Sequence, residues 1–362
     1  MTLAVVRSID SPRRLRTAAE LEDFEQELVD QYALASAASG VTDGQIRKER
    51  YVLFEFVRFL GEPVWMCQPG DADRYLVHLR KDRGLAATTV ADKALVLAQF
   101  FDFLLTRYQG DIHALTGQVL VQPIDEFNRP PKPYTANARV PPSDGDVEAL
   151  FGAWREALPS ARKYLPAARD YLAASLWRRT GLRITETAML DIRDWRPDLG
   201  ELGKLHVRFG KGSHRRGPKA RMVPGINEVG QLLRWWLVDV RHQYGDDWDD
   251  PHAPLLPSER RDPVTGRCER IGTNALRNGL AASVERWLPR WQGRLTPHTL
   301  RHYCASSLYE RGVDLKAIQE LLGHSWLQTT TGYIHVHDKH IEHAWAKANE
   351  RVAARLRETT GG

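Results

Sequence analysis

Four short segments of the chain carry residue types suited to gripping an anion. The first, Arg179-Thr180-Gly181-Leu182-Arg183-Ile184-Thr185-Glu186, follows an apolar run from Tyr171 to Trp177. Gly181 can turn the chain there and present Arg183 from a new helix start, with Glu186 three residues on. An Arg–Glu pair at that spacing is also a common helical surface pair. The second segment runs from Phe209-Gly210-Lys211-Gly212 to Arg221-Met222-Val223-Pro224 and reads as two strands joined by a flexible hairpin. A lysine between two glycines can approach a ligand closely, or it can be a plain turn lysine. In the third, Thr296-Pro297-His298-Thr299-Leu300-Arg301-His302, Thr296 is a helix cap and Pro297 a first-turn residue. His298 and Arg301 then share a face near the helix end whose backbone N–H groups favour anions. In the fourth, Asp314 caps a short helix that Gly323 ends, leaving His324 just past it and Tyr333 nine residues further on. A lone tyrosine in an apolar stretch is ordinarily core, so this spacing by itself names no nucleophile.

The charge distribution fits an anionic partner. The 362 residues hold 51 Lys and Arg against 46 Asp and Glu, a net charge of +5. Residues 1–125 carry 14 basic and 18 acidic side chains, and residues 126–362 carry 37 and 28, so the basic excess lies in the second part. Lys204 to Arg221 is the richest stretch, with Lys204, Arg208, Lys211, Arg215, Arg216, Lys219 and Arg221 and no acidic residue. Such a stripe suits a polyanion, because each neutralised phosphate releases condensed counterions. A solvated basic loop is the plain alternative. Cys67, Cys268 and Cys304 are far apart with no Cys-x-x-Cys, which argues against a disulfide framework or a thiolate zinc site. No apolar run approaches the roughly 20 residues of a membrane span, and the start of the chain lacks the apolar core of a signal peptide. A soluble protein of the reducing cytoplasm, away from membranes, is expected.

The elements that position these segments fall into two domains. After an N-terminal extension (1–16), residues 17–121 read as four amphipathic helices with short connections, a bundle without a cluster of catalytic residue types. Their apolar stripes include Leu21, Phe24, Leu28 and Tyr32, then Ile46 to Leu60, a shorter helix from Asp71 to Arg83, and Leu95 to Leu104 ending near Gly110. Residues 122–143 contain Pro123, Pro130, Pro131, Pro133, Pro141 and Pro142 and read as an extended linker. A second domain (144–362) begins at the Ser143–Asp144 cap. It is mostly helical, with strand-like stretches near Leu190–Trp195, Lys204–Phe209 and Arg221–Val223. The fold class is mainly α with a small antiparallel β-sheet.

In order, Gly-Leu-Arg-x-x-Glu, Gly-Lys-Gly, His-x-Leu-Arg-His, Leu-Gly-His and a Tyr nine residues later resemble the tyrosine recombinase (phage integrase) family over the whole chain. The resemblance implies an N-terminal four-helix core-binding (SAM-like) domain, a linker and an α+β catalytic domain. It implies a catalytic pocket of Arg183, Lys211, His298, Arg301 and His324, with Tyr333 as nucleophile and Glu186 orienting the site. The stretch between Lys211 and Pro224 is longer than the compact family form, which makes Lys219 a second choice of acid.

The implied chemistry is site-specific strand cleavage and rejoining through a covalent 3′-phosphotyrosyl ester, which conserves bond energy without ATP. Arg183 and Arg301 would hold the non-bridging oxygens bidentately, Lys211 would protonate the leaving 5′-oxygen, and His298 and His324 would assist. Positive side chains then take the place of a metal, so no cofactor is implied. His335, His337 and His340 read as phosphate-contacting or solvated rather than as a metal cluster. The implied partner is double-stranded DNA at inverted-repeat sites, bound by a homo-oligomer that is a tetramer in the synaptic complex, with an accessory protein as an option. Arg47, Lys48, Arg50 and Lys93 in the bundle, and Arg215, Arg216, Lys219 and Arg221 in the catalytic domain, are the expected DNA contacts. Residues 338–357 read as an amphipathic tail helix that docks on a neighbour or on its own domain. The alternatives are a type IB-like topoisomerase, or a DNA-binding protein without strand transfer whose helix-turn-helix spans Tyr303 to Leu322.

Overall fold

The computed structural model describes residues 14–15, 17–131, 141–210, 219–245 and 247–323, which divide between two units, one ending before and one beginning after residues 132–140. In the first, α1 (Ala18–Ala38) starts at a reciprocal cap. The Glu20 N–H donates to Thr17 Oγ1 at 3.2 Å, and the Thr17 N–H donates to the Glu20 carboxylate at 3.1 Å. There follow α2 (Asp43–Leu60), α3 (Pro69–Lys81), α4 (Ala87–Arg107) and α5 (Gln109–Thr116). Their apolar faces meet around Leu28, Phe56, Tyr75, Leu97, Phe100 and Phe101, all buried. Phe56 lies edge-on to Tyr75 at 5.0 Å and to Phe101 at 6.3 Å, the geometry aromatic quadrupoles favour.

Two features of this unit differ from the sequence reading. The fourth helix does not run on to Gly110: Tyr108 leaves helical geometry (φ −126°, ψ 1°), its ring packs 5.4 Å from Phe103, and α5 restarts at once. The proline-rich segment also begins as packed chain rather than free linker. Leu120 and Ile124 join the core of this unit. Gln122 donates to Ala98 O at 3.0 Å and to Asp102 Oδ1 at 2.6 Å, and Asn128 donates to Pro123 O at 2.8 Å. Prolines forbid a regular element there, but side-chain amides satisfy the polar groups of an irregular one.

The second unit contains α6 (Asp144–Ala157), α7 (Tyr164–Thr180), α8 (Ile184–Ala188), β1 (Trp195–Arg196), β2 (Lys204–Gly210), β3 (Lys219–Pro224) and α9 (Val229–Trp235). It continues with β4 (Pro257–Arg261), β5 (Cys268–Arg270), α10 (Thr273–Trp287), α11 (Pro297–Glu310) and α12 (Leu315–Leu322). Leu172, Ala173, Ala174, Ser175, Leu176 and Trp177 of α7 are all fully buried, and a stretch of helix covered on every side is central to its unit. Leu172 and Leu176 each contribute about 1.5–3 kcal/mol by leaving water. The Trp177 indole N–H donates to Thr187 Oγ1 at 2.9 Å, so its one polar atom is satisfied in the core.

Strands β1, β2 and β3 form an antiparallel sheet in that order, with Leu205 opposite Val223 and Val207 opposite Arg221. The strand expected over 190–195 is shortened. The Asp191 N–H donates to the Asp194 carboxylate at 2.8 Å, folding Ile192–Asp194 into a 3-10 turn before β1. The β4–β5 ribbon has no counterpart in the sequence reading, because Pro257-Ser258-Glu259-Arg260-Arg261 shows no apolar alternation. Among the described residues no helix is long and apolar enough to cross a membrane.

Candidate active site

Helix α7 ends at Gly181, whose φ of +64° disfavours any side chain and whose missing Cβ would lie 2.5 Å from Leu322 Cδ2. The chain turns there, buries Leu182, and delivers Arg183 as the residue that caps α8. Glu186, in the first turn of α8, reaches back: its Oε2 accepts the Arg183 N–H at 2.8 Å and its Oε1 accepts Arg183 Nη1 at 2.6 Å. The Glu186 side chain is fully buried, and Arg183 is 21% exposed.

Two further arginines converge on that carboxylate. Arg221, from β3, closes a fork on it, Nη1 to Oε1 and Nη2 to Oε2, both at 2.9 Å. Arg301, from the second turn of α11, places Nη1 4.0 Å from Oε2. Burial alone would raise the Glu186 pKa. The Arg221 hydrogen bonds and charge, then the charge and backbone N–H of Arg183, outweigh it and hold the carboxyl at about 2. Glu186 is therefore an anion throughout the neutral range.

The same arginines hold the end of α12. Arg301 Nη2 donates to Leu322 O at 2.6 Å, Arg301 Nη1 donates to Gly181 O, and Arg221 Nε donates to Leu321 O at 3.0 Å. The last carbonyls of a helix lack intrahelical donors and sit at the negative end of its dipole, so guanidiniums are apt partners. Gly323 then closes the helix in the left-handed conformation, one residue before His324.

His298 lies in the first turn of α11, whose start is fixed by Thr296 Oγ1 accepting the Thr299 N–H at 3.2 Å. Its ring is exposed and meets the buried His302 ring edge-on at 4.6 Å. Thus Arg183, Glu186 and Arg301 are brought together, with His298 on the turn before Arg301. Lys211, Arg215, Arg216, His324 and Tyr333 lie outside the described residues, as do His335, His337, His340 and the tail helix. Among the described residues no group of three His, Cys, Asp or Glu is placed to hold a metal.

Two of the expected DNA contacts are engaged in ion pairs within their own units. Arg221 is 11% exposed, with its guanidinium turned inward onto Glu186 and Leu321. Lys93 is 12% exposed and its ammonium is bonded to Glu55. Arg50 pairs with Asp30 at 2.7 Å and remains partly exposed, while Arg47, Lys48 and Lys219 face solvent. Arg221 lies two residues before Val223, on the strand face that also holds buried Leu205 and Val207, but the exposed Lys219 has the same spacing, so the sequence did not single Arg221 out. His302 was also missed as a neighbour of His298; its i+4 spacing was the available sign. The helix-turn-helix alternative loses its recognition helix. Ile318, Gln319, Leu321 and Leu322 of α12 are buried, and the exposed Lys316 and Glu320 face each other at 3.9 Å.

The phage integrase family profile matches residues 153–340, just over half of the chain. The sequence is 35% identical over 175 residues to the tyrosine recombinase XerC of Corynebacterium glutamicum, a stretch that covers 48% of either protein. It is 27% identical over 344 residues to the tyrosine recombinase XerD of Agrobacterium fabrum, covering 91% of this chain and 94% of that one. Among solved structures, the XerH site-specific recombinase bound to palindromic difH substrate in a post-cleavage complex matches with a TM-score of 0.64 at 19% identity, over 91% and 84% of the two chains. The Tn1549 transposon integrase in complex with transposon right end DNA matches with a TM-score of 0.61 at 19% identity, over 89% and 99%.

Proposed function

Because the chain belongs to the phage integrase family, as a tyrosine recombinase that cleaves and rejoins DNA, we propose that it exchanges strands at specific sites through a 3′-phosphotyrosyl ester on Tyr333. The phenolic oxygen attacks phosphorus, the bond from phosphorus to the 5′-oxygen breaks, and Lys211 gives that oxygen its proton. His298 takes the proton of the phenol, and His324 donates a hydrogen bond to the phosphate. A different 5′-hydroxyl then attacks the ester and reseals the strand.

The observation that carries this reading is the convergence of Arg183, Arg221 and Arg301, from three separate elements, on the single buried carboxylate of Glu186. An anion that stays charged fixes the guanidiniums in advance of the reaction, which is what stabilising a phosphorane-like transition state requires. Arg183 meets the phosphate from the surface, and Arg301 acts from a buried position where charge is weakly screened. These side chains supply the positive charge a metal would otherwise bring. The working assembly in this proposal is a homotetramer on two duplexes, one nucleophile for each of four strands. It acts at inverted-repeat sites in the cytoplasm, at the nucleoid, with or without an accessory protein. The test is a duplex nicked beside the cleavage point, on which the wild-type protein accumulates as a covalent 3′-adduct; a specifically bound protein that forms none sinks the reading.

Exposed Arg47 and Lys48 on α2 are the proposed phosphate contacts of the first unit, and paired Lys93 is not. Replacing both Arg47 and Lys48 by Ala should flatten the slope of log affinity against log salt by about 2, close to one per lost contact. Lys93→Met should leave that slope unchanged and lower the melting temperature, because Glu55 loses its nearer cation and is left with Arg83 at 3.4 Å. Fluorescence anisotropy between about 50 and 200 mM salt, with a thermal melt, separates the two, and the opposite pattern would restore Lys93 as a contact.

A further inference from the structure

We infer that Arg221 is a positioning residue of the strand-cleavage site, a side chain that ties the Arg183–Glu186 pair to the end of α12 and passes beside the end of β2, the two stretches that His324 and Lys211 follow in sequence. This rests on the function proposed above and adds a residue to its machinery. All three kinds of guanidinium nitrogen are used: Nη1 and Nη2 on the two oxygens of Glu186, and Nε on Leu321 O. Glu186 in turn bonds both the main chain and the side chain of Arg183.

The glycines of two motifs lie beside the same side chain. A Cβ on Gly323, immediately before His324, would lie 2.9 Å from Arg221 Cδ and 3.0 Å from its Nε and Nη1. A Cβ on Gly210, immediately before Lys211, would lie 2.2 Å from the carbonyl oxygen of Lys219 and 3.3 Å from Arg221 Nη1. Gly323 therefore leaves room for this guanidinium, whereas Gly210 is required first by the Lys219 carbonyl and lies beside Arg221; each glycine directly precedes a residue of the proposed chemistry. A lysine could not replace it. One ammonium on a flexible stem cannot hold both carboxylate oxygens in a plane and a carbonyl to the side. The placement also separates the residue from the exposed Lys219 two positions before it.

The test uses the full-length chain and a nicked duplex, measuring the single-turnover rate of covalent trapping at saturating DNA, the affinity with its salt slope, and a thermal melt. Arg221→Lys and Arg221→Met should each lower the saturated rate roughly 10- to 100-fold, the scale of a lost charged hydrogen bond or two. Affinity and salt slope should stay within about twofold of wild type. Arg221→Lys combined with Glu186→Gln should cost about as much as the worse single change, because both act through one contact. Should Arg221→Met fail to fold, Arg221→Lys, which keeps charge and most of the volume, carries the decision. A saturated rate preserved in Arg221→Lys, a loss confined to affinity with a salt slope lower by about 1, or multiplicative losses in the double variant would overturn the inference. So would unfolding of both single variants, which would make the residue a folding requirement alone. The wild-type adduct on the same duplex is the separate control: its absence would remove the functional reading whatever Arg221 does.

Discussion

Tyr333→Phe should bind its DNA site as the wild type does and form no covalent adduct on a nicked duplex, a fall of roughly 10⁴-fold or more in trapping rate. Removing one oxygen leaves the arginines and the bundle contacts intact, so affinity is spared while the only bond-forming atom is gone. The nearest rival along the described chain is Tyr303, two residues after Arg301. It is poorly placed for nucleophilic attack, because its hydroxyl donates to Asp144 Oδ1 at 2.7 Å, and burial, followed by that carboxylate, pushes its pKa upward. A nucleophile needs the opposite, a lowered pKa or an adjacent base. Tyr303→Phe should therefore retain trapping. If the adduct survives Tyr333→Phe and disappears in Tyr303→Phe, the nucleophile has been misassigned.

Glu186→Ala should be the most damaging change in the described part of the site. It leaves the Arg183, Arg221 and Arg301 guanidiniums near one another without their shared counter-charge, and breaking a buried pair of this kind costs about 3–5 kcal/mol. Glu186→Gln keeps the shape and isolates the charge, so its pH dependence is the sharper measurement. The carboxyl is held at about 2 in the folded protein against an ordinary 4.5. A carboxylate with a depressed folded pKa adds stability that is fully present above the unfolded value and is lost as pH falls through the folded one. The stability gap between wild type and Glu186→Gln should thus be flat from neutral pH down to about 5 and shrink from there towards about pH 2. Urea unfolding followed by tryptophan fluorescence at about pH 7, 5 and 3.5 reads this directly. A gap that stays constant to about pH 3.5 would mean that the carboxylate charge is not what holds the three arginines.

These two experiments probe opposite kinds of information. Tyr333 is named by order and spacing along the chain, whereas the role of Glu186 as a hub is visible only where three elements meet. The Arg183–Glu186 half of that hub is local, a first-turn carboxylate returning to its own cap. The Arg221 half joins residues 35 positions apart, and its Nε bond reaches Leu321 across 100. Nothing in the basic stripe itself distinguishes Arg221 from the exposed Lys219, which is two residues away and has the same place in the strand's alternation; only pairing sets Arg221 opposite Val207 and Lys219 opposite Gly210 at the strand end.

Much of the architecture was legible because its signals are short-ranged. Thr17 with Glu20, Thr296 with Pro297, and Asp314 with Gly323 mark helix ends through bonds that span a few residues, and the amphipathic stripes of α1, α2 and α4 repeat at the helical period. The order of the motifs carried the family and its chemistry. What the sequence could not decide was which charged side chains would be used up inside: Lys93 on Glu55 and Arg221 on Glu186 became internal, while Arg47 and Lys48 stayed at the surface. A long cationic side chain has no preferred side until folding brings a carboxylate within reach, because only proximity in three dimensions, in a medium that screens poorly, makes one ion pair outweigh hydration.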